Sequence, residues 1–195
     1  DSVVTNRIGL VMRYLIGDAH WCRLVARLHG SSTTYRHGID ETLIASDSTE
    51  SIHFFTPKRA GRYRNGVTAR LESTWSKYTT EAMQFDADDV IVDVGASVGE
   101  FAIPAARAAG MVIALEPEPR AYASLKANAV AQEGRIIAVQ AAAAETTRDL
   151  RLFVAADAAD SSAVEPDAFT HVVTVPGITL SDLVRSMSID VDRLK

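Results

Sequence analysis

The chain has 195 residues, enough for one ordinary domain with an added segment, and 47% hydrophobic against 23% charged residues is the balance of a globular protein. It holds no apolar run of the ~18 residues that span a bilayer, its opening residues do not read as a secretory signal, and its one cysteine, Cys22, excludes an internal disulfide or a cysteine zinc site; a buried Cys22 in a reducing cytoplasm is expected. The formal charge of −5 is unevenly divided: residues 1–80 carry 11 Lys and Arg against 7 acids, and residues 81–195 carry 9 against 18. The acidic part is poorly suited to a nucleic-acid backbone, which needs clustered cations, whereas the basic part suits an anionic partner.

Residues 5–29 read as an amphipathic helix broken near Gly17-Asp18, with Ile8, Val11, Met12, Leu15 and Ile16 at helical spacing and Arg7 and Arg13 elsewhere on its surface. A Ser/Thr turn follows at 31–34, and short apolar stretches such as Ile52-His53-Phe54-Phe55 predict small strands and loops over 35–70. Residues 71–85 predict a helix with Leu71, Trp75, Tyr78 and Met83 on its buried side. Residues 1–80 are thus expected to form an α+β extension, and 81–195 a second domain.

From Val90 the pattern becomes strand–helix alternation, which predicts an α/β fold with a parallel sheet. Val90 to Val94 is β-branched throughout except for Asp93, as in a strand covered on both faces. Phe101–Ala109 predicts a helix capped by Gly110, Met111–Leu115 a strand, Pro119–Gln132 a helix ended near Gly134, and Ile136–Gln140 a third strand. Leu150–Val154 and His171–Val175 are expected to pair. Leu180–Met187 predicts a short helix, and Val191–Lys195 the approach to another strand.

The chemistry is concentrated at two strand ends. Asp93-Val94-Gly95-Ala96-Ser97-Val98-Gly99-Glu100 leaves the first parallel strand at its carboxyl end, where open α/β sheets bind ligands. Gly95 permits a tight turn and close approach of a ligand, and Gly99 close contact at the start of the next helix. The spacing is Gly-x-x-x-Gly and not the Gly-x-Gly-x-x-Gly of dinucleotide sites. An anion at Asp93 disfavours a pyrophosphate and suits an ammonium group. At the end of the next strand, Glu116 can accept hydrogen bonds from two ribose hydroxyls, with Pro117 as a flat surface beside an adenine. Each feature alone is common as a turn or a surface charge; together they describe S-adenosyl-L-methionine better than NAD. Glu100 reads equally as a contact to the cofactor's amino group and as a first-turn helix acid. Tyr78 reads equally as a cover over the methionine end and as simple packing. A strand-end carboxylate has few neighbours, so removing Glu116 is expected to spare stability.

The stretch 92–101, together with Ala114-Leu115-Glu116-Pro117-Glu118-Pro119, resembles the first and second motifs of the FkbM family of S-adenosylmethionine-dependent methyltransferases, in which Asn commonly stands at the place of Ser97. Ala141-Ala142-Ala143 with Leu150–Val154, Asp160-Ser161-Ser162, Ile178-Thr179-Leu180-Ser181-Asp182-Leu183 and Asp192-Arg193-Leu194-Lys195 resemble its later segments. The resemblance covers about Tyr78 to Lys195. It implies a class I, Rossmann-like methyltransferase sheet and O-methylation of a sugar or related hydroxyl. It also implies that Asp93, Gly95, Ala96 and Gly99 hold the methionine part, Glu116 the ribose, and Ala142 the neighbourhood of the adenine. Family members continue past Leu-Lys into an Ile-Asp-x-Glu-Gly motif, so the sheet is expected to be incomplete here, with an open edge beside its first strand, and no catalytic base is expected within these residues.

The five histidines have no metal-ligand spacing, no metal is expected, and no Gly-x-Ser-x-Gly elbow occurs. The cations Lys58, Arg59, Arg62, Arg64, Arg70 and Lys77 form either a solvated surface or a patch for an anionic acceptor such as a phosphorylated sugar. Phe101-Ala102-Ile103-Pro104 is similar to tRNA guanine-methylating enzymes, which keeps an RNA methyltransferase as the alternative. A non-catalytic cofactor-binding module is the third reading. A small-molecule acceptor is preferred, nucleic acid is not expected, and a homo-oligomer is compatible with the sequence.

Overall fold

The computed structural model describes residues 13–39, 41–155 and 161–195. Ile8, Val11, Met12, Arg7 and Asp160 therefore lie outside the described residues. The chain divides into two compact units, residues 1–70 and 71–195.

In the first unit the break at Gly17 is present, and helix α1 runs Asp18–Leu28, with Ala19, Cys22 and Ala26 on its buried face. Arg13 pairs with Asp18 at 2.6 Å across the break. Leu15 is exposed, against the expected apolar stripe. Strands β1 (Thr34–His37), β2 (Leu43–Ser46) and β3 (Ser51–Phe54) form an antiparallel meander in which Tyr35 faces Ala45 and Ile44 faces His53. Phe54 packs edge-on to Tyr35 and tilted against Tyr63, and the hydroxyl of Tyr35 donates to the Ala60 carbonyl at 3.0 Å. A 3-10 helix, Pro57–Tyr63, supplies that aromatic floor.

Helix α2, Val67–Tyr78, straddles the division between the units. It begins four residues before the expected start because Asp47, in the β2–β3 turn, caps it. The Asp47 carboxylate accepts from the Thr68 amide at 2.8 Å and the Thr68 hydroxyl at 3.1 Å, and also from the amides of Thr49 and Glu50. These donors hold the Asp47 carboxyl down at about 2 in spite of an opposing contribution from burial. Asp47→Ala is expected to cost about 1 kcal/mol, as for lost caps generally, with the midpoint of thermal unfolding as the readout; an unchanged midpoint would show that the turn and helix stand without the cap. The helix stops at Tyr78, so Met83 falls outside its period and is exposed, while Leu71 is buried as expected.

Among its described residues the second unit contains two three-stranded sheets. Strands β4 (Val90–Val94), β5 (Met111–Leu115) and β6 (Ile136–Val139) are parallel in the order β4-β5-β6, joined through α3 (Ala102–Ala108) and α4 (Pro119–Val130). This is the repeated β-α-β of a Rossmann-like α/β fold. Gly110 is not the helix cap expected; a Cβ there would stand 1.9 Å from the Ala87 carbonyl oxygen, so the site needs glycine for close chain approach. Strands β7 (Ala142–Ala143), β8 (Arg148–Val154) and β9 (His171–Ile178) form the other sheet, where Leu150 lies opposite Val175 in the antiparallel β8–β9 pair, as expected. Its core is Ala142, Leu152, Val154 and Val175; Val90, Ile113, Leu115 and Leu183 form a separate cluster around the parallel sheet.

The Thr-Leu-x-Asp-Leu segment has a structural role. Thr179 caps helix α5 (Leu180–Ser186) by accepting from the Asp182 amide at 3.0 Å, and the Thr147 hydroxyl, which donates to the Asp182 carboxylate, also receives the Thr179 amide at 3.2 Å. Residues 191–193 form a 3-10 turn, after which Leu194 bridges Val90 in parallel and the Lys195 amide donates to the Val90 carbonyl at 2.9 Å. The edge of β4 expected to be open is therefore paired at Val90.

Candidate functional site

The carboxyl ends of β4 and β5 lie side by side, with Asp93 opposite Ala114 and Val94 opposite Leu115. The amides of Gly95 and Ala96 both donate to the Leu115 carbonyl, at 3.0 and 2.9 Å, and the Gly99 amide closes a turn onto Ala96 at 2.8 Å. The loop therefore folds back over the end of β5 and turns away from it. Gly95 and Gly99 have φ of +76° and +92°, in the region that favours glycine. A Cβ at Gly95 would meet nothing within 4 Å, whereas one at Gly99 would lie 3.0 Å from Leu125 Cδ1 on α4. The two glycines thus do different work: the first leaves open space at the loop tip, and the second lets the loop pack on a helix.

Ser97 also has a positive φ, +53°, and it is a residue with a Cβ. Asn tolerates this left-handed conformation better than Ser, which gives a physical reason for the asparagine usual at this place in the family resembled. Ser97→Asn is expected to stabilise the protein by about 0.5–1 kcal/mol by relieving that strain, measured by chemical denaturation; a loss of stability would mean that the serine side chain has a role its backbone does not reveal.

Glu116 ties the loop to the chain beyond β5. One carboxylate oxygen accepts from the Ser97 amide and the other from the Glu118 amide, each at 2.8 Å, and the Glu116 amide donates to the Val139 carbonyl of β6 at 3.0 Å. Glu116 is buried, which corrects the expectation of a strand-end acid with few neighbours.

Asp93 is the electrostatically unusual member. Its Oδ2 is buried without a hydrogen-bond partner among the described residues. Burial, and then the neighbouring Glu116 charge, push its carboxyl up to about 6. A buried acceptor left without a donor costs stability, and such a group beside a second acid marks a place where a positively charged or hydrogen-bonding ligand would be welcomed.

Sequence reasoning missed two side chains that hold this arrangement. Glu118, 1% exposed, caps α4 by accepting from the Ala121 amide at 2.6 Å and receives Arg120 Nε at 2.8 Å. An acid immediately before a proline at a helix start is the pattern that could have disclosed it. Asn128, on α4, donates its side-chain amide to the Val98 carbonyl at 2.7 Å and so clamps the loop from beneath; no local pattern marks it. Glu100 is buried and stands immediately before α3, where the Ile103 amide donates to the Gly99 carbonyl at 3.0 Å, so it lies at the amino-terminal end of that helix.

Pro117 is half-buried next to Glu116. Ala142 follows β6 by three residues and pairs with Gly177 in the second sheet. Tyr78, 59% exposed, stands edge-on to Phe101, on whose ring Trp75 stacks at 5.5 Å. Tyr78 therefore packs with the residue that follows Glu100. Of the basic cluster, Arg59 is buried and lies over the Phe55 ring, so the six cations are not one exposed patch. Among the described residues no three His, Cys, Asp or Glu side chains gather as a metal site, and no helix is long and apolar enough to cross a membrane.

No family model matches the chain, and no curated protein matches it. Solved structures do. Pyrococcus horikoshii TYW2 in complex with MeSAdo is 18% identical with a TM-score of 0.33, the match covering 61% of this chain and 46% of that one. Methanocaldococcus jannaschii TYW2 in complex with AdoMet is 16% identical with a TM-score of 0.36, covering 60% of this chain and 59% of that one. The tRNA m1G37 methyltransferase of M. jannaschii is 16% identical with a TM-score of 0.35, covering 66% and 46%. The chain spans about half the length of these structures. At that degree of superposition they supply no residue-by-residue correspondence.

Proposed function

We propose that residues 71–195 bind S-adenosylmethionine and that the protein is a methyltransferase, with the hydroxyl of a sugar or related small molecule as acceptor. The single observation that carries this reading is the unpartnered buried oxygen of Asp93 beside Glu116, at the ends of adjacent parallel strands and next to the open loop at Gly95. The site offers an acceptor for an ammonium at Asp93 and a carboxylate for ribose hydroxyls at Glu116. A second carboxylate at this point is unsuited to a pyrophosphate, which argues against a dinucleotide.

The bound group would supply a sulfonium methyl for displacement by the acceptor. The work of the chain is positioning, which accounts for much of the acceleration in such transfers. Asp93 would orient the amino-acid end, with Gly95, Ala96, Ser97 and Gly99 as the backbone against which it lies. Glu116 would hold the ribose without releasing its two amide donors. Pro117 and Ala142 would border the adenine, and Tyr78, packed on Phe101, would shield the methionine end from water. Glu100 is buried in the same loop and would help set its shape. None of these residues is assigned as the base that takes the acceptor's proton.

The FkbM resemblance supplies the hydroxyl acceptor in this reading. Because a tRNA m1G37 methyltransferase is among the similar solved structures, tRNA is the competing acceptor in the test. Full-length protein with isotopically labelled S-adenosylmethionine is expected to label hydroxyl acceptors from a sugar panel and to leave a tRNA transcript unlabelled. Labelling of the transcript alone would replace the sugar reading with the RNA one, and a protein that binds the cofactor yet labels neither would support a non-catalytic module.

A further inference from the structure

The first unit has a cleft of its own, about 230 Å3 in volume, between α1 and the 3-10 helix 57–63. Trp21 and Val25 recur four residues apart on α1 and give the cleft an apolar wall on that side. Tyr35 adds its ring, and its hydroxyl is already engaged by the Ala60 carbonyl. Pro57, Lys58 and Arg64 line it from the 3-10 helix and its end, both cations exposed, and among the described residues no Asp or Glu lines the cleft. The unit around it carries ten Lys and Arg against six Asp and Glu over residues 1–70, so the field there favours an anion.

We propose that this cleft binds a small oxyanion carried on a flat apolar body, a phosphate or carboxylate borne by an aromatic ring. Shape and charge both enter. The apolar wall, with the indole of Trp21 in it, gives a flat body a surface to stack on. His29 also lines the cleft, at the carboxyl end of α1, which is the negative end of the helix dipole. The ligand's charge therefore belongs on the side of Lys58 and Arg64, with its ring lying along Trp21 and Val25. Arg64 can meet two oxygens at once, which a lysine cannot. Cys22 lines the cleft too, but burial, and then the Asp18 charge, push its thiol up to about 11, so it takes part as an apolar surface and not as a nucleophile. The cleft lies within residues 1–70, so its ligand does not depend on the function of the second unit.

The test is titration of the full chain with phenyl phosphate and with benzoate, followed by tryptophan emission and by calorimetry. Phenol and inorganic phosphate serve as the body without the charge and the charge without the body. Saturable binding of phenyl phosphate or of benzoate is expected, each weaker by about tenfold or more in Lys58→Ala/Arg64→Ala, the loss of roughly 1.4 kcal/mol or more. Which of the two binds more tightly assigns the anion as phosphate or carboxylate. Trp21→Phe should abolish the emission change while heat of binding persists, which separates the cleft from the chain's other tryptophan, Trp75. Both cations are exposed, so the double variant should melt with the parent protein. The proposal is overturned if neither aromatic anion saturates, if the folded double variant binds as tightly as the parent, or if inorganic phosphate binds as well as phenyl phosphate.

Discussion

Replacing Asp93 with Asn is expected to make the free protein more stable and its cofactor complex weaker. The carboxyl of Asp93 is pushed up to about 6 by burial and by Glu116, from an ordinary value of 3.8. A raised folded-state value in an acid means that the folded protein holds the proton more tightly than the unfolded chain does. The associated stability is fully present below about pH 4 and is lost as pH rises through about 6. At pH 7.5 the penalty is complete, and a shift of this size corresponds to at most about 3 kcal/mol. Asn keeps the shape and removes the charge. The variant should therefore gain about 1–3 kcal/mol at pH 7.5 and almost nothing at pH 4, measured by denaturant unfolding across that range. Affinity for S-adenosylhomocysteine should fall, since an amide attracts an ammonium less than a carboxylate does. A variant that lost stability at pH 7.5 would show that the buried oxygen has a donor after all.

Glu116→Ala is expected to do harm on both counts. Its carboxylate holds the Ser97 and Glu118 amides, and each hydrogen bond to a charged group is worth about 1.5–3 kcal/mol. Removal also lifts the repulsion on Asp93, which returns part of the loss, so a net destabilisation of about 2–4 kcal/mol is expected. Cofactor affinity should fall by about 1–3 kcal/mol in addition, for the ribose hydrogen bonds. The two effects are separated by measuring affinity at a temperature where calorimetry and circular dichroism agree that the variant is folded. Unchanged stability would contradict the bridging role of Glu116, and unchanged affinity in folded protein would contradict the ribose assignment.

The contrast between these two acids marks what was legible in the sequence. The strand Val90–Val94, the glycine turn and the acid at Glu116 follow one another in a pattern set by local chemistry, so the parallel sheet and the candidate loop could be placed from residues alone. The bond from Glu116 back to Ser97 spans 19 residues, and nothing in either neighbourhood encodes it. Asn128 reaches Val98 across 30 residues, and Asp47 caps a helix 21 residues further on, so the loop clamp and the start of α2 were hidden for the same reason. Periodicity misplaced Met83 because it continued a helix that stops at Tyr78, and charge clustering placed Arg59 among the surface cations although that side chain is buried against Phe55. Gly110 looked like a cap because it follows a helix, yet its need for glycine comes from the Ala87 carbonyl, in the turn before β4 and more than twenty residues upstream in the chain.

Calorimetry on the full chain tests most directly whether the ends of β4 and β5 form an S-adenosylmethionine site. S-adenosylhomocysteine should bind saturably with one-to-one stoichiometry, NAD should give no saturable heat, and Asp93→Asn should weaken the first while raising the unfolding midpoint. Saturable binding of NAD with no binding of S-adenosylhomocysteine would contradict that assignment.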